Sequence, residues 1–267
     1  MNGEIAQYVM LVCQGNALLA GREIPDLLAT NTSCQFCASI TFDGPGATRA
    51  ANPNLWLQSL RDDSVCGFRL SSAARNDPRF SDRMTAGLTG GGSFWTIEAV
   101  KRGGSSDFYT ARWAVGDRDS PENRIWSVSY PRIATQKTAP ASTRPVAVMT
   151  VVMTGALNQI YAFAEKQKYC EPFVGAFTRV LNWLRGNATD PVYHQDLFPP
   201  DMLSPEAVNL LNACQAAWVF GGMGTWNDMG FDNEADQAVY DAVSSYLYNS
   251  LTEAIPVAAN DSFRALR

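Results

Sequence analysis

The hydrophobic period of this 267-residue chain changes once. From Cys37 to Tyr130 the apolar residues alternate in short runs separated by turn clusters, and beyond Arg144 they recur at three- and four-residue spacing. Alternation places successive side chains on opposite faces of a strand, whereas the longer spacing draws a stripe down a helix. Strands followed by helices specify an α+β fold. The chain is therefore read as an N-terminal helix with an antiparallel sheet of about five or six strands in residues 1–133, a linker at 134–143, and about four helices in 144–267 packed on that sheet as one unit. At 46% hydrophobic and 18% charged, it has the material for a full core, which excludes a disordered or fibrous chain.

Met1 to Gly21 lacks the positive start of a secretion signal, its first charged residue being Glu4. Ile5, Tyr8, Val9, Val12 and Leu19 recur at helical spacing there, so an amphipathic helix is expected. A short helix is expected at Asn52–Leu60. The strand candidates are Cys37–Phe42, Gly67–Ser72, Arg83–Leu88, Phe94–Val100, Phe108–Val115 and Arg124–Tyr130. Turns such as Asp43-Gly44-Pro45-Gly46 and Gly103-Gly104-Ser105 separate them, and connections this short join antiparallel neighbours, so a meander is expected. Alternation along the last three strands puts Trp95, Trp113 and Trp126 in one cross-strand row. The favoured reading is that helices cover this row; an exposed row would instead be a platform for a sugar or a base.

Helix starts are marked by Thr143-Arg144-Pro145, by Glu171-Pro172, by Ser204-Pro205-Glu206 and by Asn233 with Glu234 and Asp236. Pro256 is expected to end or kink the last helix. No residue between Arg144 and Glu165 is charged, a length that a bilayer core would accept. Met149, Val152, Met153, Ala156, Ile160 and Phe163 share one face of that helix, with Thr150, Thr154, Asn158 and Glu165 opposite. A lipid-facing helix is apolar all round, so a core helix is expected and no membrane.

The 21 Lys and Arg against 26 Asp and Glu give a net charge of −5, which removes the simplest nucleic-acid reading. With no signal, the expected setting is the reducing cytoplasm, where Cys13, Cys34, Cys37, Cys66, Cys170 and Cys214 are mostly buried thiols. Cys34-Gln-Phe-Cys37 runs into a strand rather than a helix start, and no second close pair completes a zinc site, so neither redox chemistry nor a metal is expected. Gly90-Gly91-Gly92 lies between strand candidates and feeds no helix N-terminus, which makes it a turn and not a phosphate cradle. No nucleophile elbow, Walker motif or dinucleotide fingerprint occurs, and no cofactor is expected.

Two segments remain as candidate sites. His194 is the only histidine, in Tyr193-His194-Gln195-Asp196. A catalytic reading makes it a general base oriented by Asp196, with Cys170 or Cys214 as nucleophile. The favoured alternative is a loop histidine bonded to backbone. The segment from Trp218 to Phe231 combines two tryptophans with four glycines. There Trp226, Asn227 and Asp228 are either a binding edge, joined by Tyr193, or a structural plug. The plug is favoured.

The segments DFYTARWAVGDRDSPENRIWSVSY (Asp107–Tyr130) and VFGGMGTWNDMGF (Val219–Phe231) resemble those of a set of uncharacterised bacterial proteins of similar length, and the resemblance extends to Asn31–Phe42 and Tyr193–Leu197. It implies no activity, cofactor or catalytic residue. The function expected is that of a non-catalytic protein that binds another protein or a small ligand, in an immunity-like or accessory role. The alternative is a hydrolase using carboxylates or a Cys–His pair near Tyr193–Asp196.

Overall fold

A computed structural model describes residues 1–120, 122–138, 144–188 and 190–264. Side-chain caps start most of its helices. The Asn2 side chain accepts from the Ile5 amide and opens α1 (Gly3–Leu19), and Asp26 does the same for α2 (Leu27–Thr30). Strands β1 (Cys37–Asp43) and β2 (Arg49–Ala50) follow, then α3 (Pro53–Asp62), capped by Asn52, and β3 (Val65–Ala73). Ser81 caps the short α4 (Asp82–Thr85). Five strands come next: β4 (Phe94–Lys101), β5 (Ser105–Tyr109), β6 (Arg112–Val115), β7 (Trp126–Tyr130) and β8 (Arg132–Lys137). The remaining helices are α5 (Val146–Ala164), α6 (Glu171–Leu184), α7 (Pro205–Ala216), α8 (Glu234–Ala259) and α9 (Asp261–Arg264). Ser204 caps α7 and Asn233 caps α8, each worth about 1 kcal/mol.

The fold is α+β, with two four-stranded sheets in place of the single meander. Their orders are β2-β1-β7-β6 and β3-β4-β5-β8, and β1 pairs with β7 in parallel. The expected strand Phe108–Val115 is divided between them. At Thr110 the chain leaves β5 for the other sheet, and the Tyr8 hydroxyl takes the Ala111 amide at 2.5 Å while Thr110 Oγ1 donates to the Trp95 carbonyl. These side-chain bonds replace the ladder where it breaks. Trp95 is consequently buried in one sheet, while Trp113 and Trp126 pair edge-to-face in the other with ring centroids 5.9 Å apart. The three-tryptophan row does not form. Arg83–Leu88 is α4 followed by turns, and not a strand. Of the expected linker, Ala134–Lys137 belong to β8, and 139–143 lie outside the described residues.

Helix α1 is buried on every face from Ile5 to Leu18, so it is a central pillar and not the amphipathic helix expected. Its buried Gln7, Gln14 and Asn16 side chains each make at least one hydrogen bond there, although Gln14 Oε1 has no partner. Gln7 Oε1 accepts from the Tyr130 hydroxyl at 2.8 Å. Asn16 accepts the Phe68 amide proton at 2.7 Å and donates to the Phe68 carbonyl at 3.0 Å. Two residues along, Asn260 treats Leu70 the same way, at 2.7 and 2.9 Å. Two side-chain amides thereby act as a missing neighbour along the outer edge of β3. The core between the sheets is aromatic: Phe42 stacks on Trp56 and Tyr130 at 4.5 and 4.9 Å, and Tyr109 meets Trp56 edge-on.

Helix α5 is long and apolar enough to cross a membrane. Of the face its sequence pattern singles out, Met149, Met153, Ala156, Ile160 and Phe163 are buried and Val152 is partly so, and α8 is its main neighbour. Pro256 neither ends nor interrupts α8, which runs on to Ala259. Lacking an amide, Pro256 leaves the Thr252 carbonyl without its helical donor, and the Ser72 hydroxyl donates to that carbonyl instead at 2.6 Å.

Candidate functional site

A cleft of about 610 Å³ opens where eight stretches of chain meet. The first turn of α1 supplies Asn2, Gly3 and Glu4, and the link into β1 supplies Thr32, Ser33, Gln35 and Phe36. Ala86–Thr89 forms another wall. The Trp113–Trp126 pair and Phe173 of α6 add aromatic surface. Tyr193, His194 and the glycine-rich stretch from Trp218 to Thr225 complete it. Its dimensions are those of a small-molecule pocket, and its lining mixes aromatic rings with polar groups such as Asn2, Glu4, Gln35 and Thr89. The Trp113 and Trp218 indole nitrogens have no hydrogen-bond partner among the described residues.

Among the described residues no lysine or arginine lines the cleft, and its one carboxyl group is Glu4. Burial raises the Glu4 pKa from its ordinary value, opposed by the Gly90 amide, which donates to Oε2 at 3.1 Å, and by the charge of Arg75. The Cys37 thiol also borders the cleft, but burial pushes it up to about 11 and Gln7 Nε2 donates to its sulfur. At neutral pH it is not a nucleophile.

His194 is buried, at 4% exposure, yet lines the cleft. Its backbone is locked by Gln215, which accepts from the His194 amide at 3.3 Å and donates to its carbonyl at 3.1 Å. Nδ1 lies 2.8 Å from Thr32 Oγ1. Burial lowers the imidazole pKa to about 4; the nearby Met1 amino group adds to this and Asp196 opposes it. No hydrogen bond joins Asp196 to the ring among the described residues. Its two carboxylate oxygens take the Thr32 hydroxyl at 2.5 Å and the Thr32 amide at 2.7 Å, so the expected His–Asp pairing runs through a threonine. Tyr193 is exposed, its ring edge-on to His194 and its hydroxyl accepting from Gln35 Nε2.

Neither cysteine candidate reaches this site. Cys170 and Cys214 are fully buried with raised thiol pKa values, and no hydrogen bond joins either to His194 among the described residues. A Cys–His pair is absent from that geometry.

The Trp218–Phe231 segment divides in two. Its glycine half borders the cleft, while Trp226 is wholly buried among Phe163, Phe173, Phe177 and Tyr240. A stacking role for Trp226 fails for want of exposed ring. Asn227 exchanges hydrogen bonds with Arg83, and Asp228 accepts from the Gly224 amide, so both brace the loop. No motif in the sequence marks Phe36, Glu4 or Phe173 as part of the site, and Thr32 is nearly as silent. The only signal for Thr32 was the Asn31-Thr32-Ser33 cap, in which Asn31 accepts from the Ser33 amide.

Gly87 packs backbone-to-backbone on Gly221, where a methyl group would overlap the Gly221 carbonyl. Because backbone cannot rotate aside, Gly87→Ala is expected to separate two walls of the cleft and lower stability by about 1–3 kcal/mol, read by urea denaturation. An unchanged midpoint would show that the walls are not in firm contact. No family model, curated protein or solved structure matches the chain.

Proposed function

We propose that the chain binds a small, largely apolar molecule in this cleft and acts by binding rather than by covalent chemistry. The observation that carries this is the convergence of Phe36, Trp113, Trp126, Phe173 and Trp218 on one cleft that also contains a rigidly held imidazole and no activated nucleophile. Aromatic walls supply affinity through burial, and few polar groups set orientation. The protein-binding half of the expectation has less behind it. The segment that would form such an edge turns Trp226 inward and leaves Met223 outward.

Tryptophan emission tests the proposal directly, since three of the seven tryptophans line the cleft. Titration with benzyl alcohol should give a saturable change in emission that Trp113→Leu diminishes. A response linear in concentration, indifferent to Trp113, would refute it. The hydrolase reading keeps one specific support, the hydrogen-bonded chain Asp196–Thr32–His194. Ester cleavage lost on replacing His194 by alanine would favour it over simple binding.

A further inference from the structure

The chain of bonds behind His194 has a direction, and the direction names a ligand class. Thr32 Oγ1 touches both the Asp196 carboxylate, at 2.5 Å, and His194 Nδ1, at 2.8 Å. A hydroxyl has one proton, and an ionised carboxylate only accepts. The Thr32 proton is therefore committed to Asp196. The contact with His194 then requires the imidazole to donate through Nδ1. A neutral imidazole has one ring proton, so Nε2 is left with its lone pair. That nitrogen has no hydrogen-bond partner among the described residues, is not among the buried unpartnered atoms, and belongs to a residue lining the cleft.

The support behind this arrangement is rigid. The Thr32 amide holds the second carboxylate oxygen at 2.7 Å, and the Asp196 carbonyl takes the Asn31 and Gln14 side-chain amides at 2.7 and 3.4 Å. Together with the Gln215 clamp on the His194 backbone, these bonds hold the Thr32 hydroxyl and His194 in place.

We infer that Thr32 fixes His194 as the Nδ1–H tautomer and that Nε2 is a permanent hydrogen-bond acceptor in the cleft, selecting ligands that present an O–H or N–H donor on an apolar body. This rests on the cleft being the binding site. Alcohols, phenols, amides and N–H heterocycles fit the class, whereas ethers and esters of the same shape do not. Burial of the ring, which holds it neutral at neutral pH, keeps Nε2 from becoming a donor. Thr32 is a positioning residue, acting on a ligand only through His194.

The sequence makes the test unambiguous, because the 267-residue chain labelled with nitrogen-15 histidine carries a single imidazole. At neutral pH its spectrum should show a protonated, pyrrole-type Nδ1 and a bare, pyridine-type Nε2. Benzyl alcohol and anisole, isomers that differ in having and lacking a donor, then serve as probes. Benzyl alcohol should shift the Nε2 resonance and bind about tenfold more tightly than anisole. Thr32→Val should release the tautomer and abolish that preference, and Thr32→Ser should retain both. A protonated Nε2 in the wild-type chain overturns the proton assignment. Equal binding of the two isomers overturns the ligand class. A correct tautomer with neither isomer perturbing the cleft tryptophans would sink the cleft reading and the ligand class with it, leaving only the tautomer.

Discussion

Replacing Trp226 with alanine is expected to lower stability by about 3–5 kcal/mol, the range for emptying a large aromatic site in a packed core. The residue has no exposed surface, and its ring meets Phe163, Phe173, Phe177 and Tyr240 at centroid distances of 6.4, 5.1, 5.4 and 5.5 Å. Its indole N–H donates to Ser244 Oγ at 2.7 Å, and the Tyr240 hydroxyl donates to its carbonyl at 2.5 Å. Truncation removes the packing and leaves the Ser244 hydroxyl without its donor. Phe173 touches Trp226 on one side and lines the cleft on the other, so the damage should also reach binding. Urea denaturation gives the first effect, and titration with benzyl alcohol under native conditions gives the second. A loss of binding with no loss of stability would place Trp226 in contact with the ligand and contradict the burial described here.

The second large effect is a dependence of stability on pH that belongs to His194. Unfolded, the imidazole takes up its second proton near pH 6.5. Folded, it stays neutral until the pH falls to about 4, chiefly because burial disfavours the charge. Between those values the unfolded chain binds more protons, so stability falls as pH is lowered through the window and is fully present above it. The loss amounts to at most about 3 kcal/mol. Glu4 and the Met1 amino group also titrate differently in the fold, Glu4 raised by burial and Met1 lowered to about 5 by it. The comparison that isolates His194 is therefore the wild type against His194→Gln across the window. The wild-type curve should fall more steeply, with the two running parallel above pH 6.5. Parallel curves throughout would mean that the folded imidazole titrates normally.

The sequence was informative where the structure is local. Ser204-Pro205-Glu206 and Asn233 started the helices they marked, because a cap is a bond between residues three apart or fewer. The buried face of α5 was legible from its period for the same reason. What could not be read was which strand neighbours which. Alternation assigns a face but carries no information about partners. The division of Phe108–Val115 depends on the Tyr8 hydroxyl, far back in the chain, and the pairing of β1 with β7 joins Cys37 to Trp126. The site follows the same rule. The expected pairing of Asp196 with His194 does not form directly; both bond to Thr32, whose hydroxyl no local pattern connects to either. Trp226 was seen as unusual, and its plug role follows from aromatic residues on α5, α6 and α8 that only the fold gathers.

The amide clasps on β3 bear on how copies of this chain associate. An unpaired sheet edge is a template onto which another strand adds, and natural proteins guard such edges against fibre growth. At Phe68 and Leu70 the template is already filled by Asn16 and Asn260, from the first long helix and from the residue just beyond α8. The guard is thus lent by elements distant in sequence, and it holds only while both are docked. A chain caught with its final helices undocked would bare that edge, so aggregation should track partial unfolding of the C-terminal end rather than crowding of the native protein.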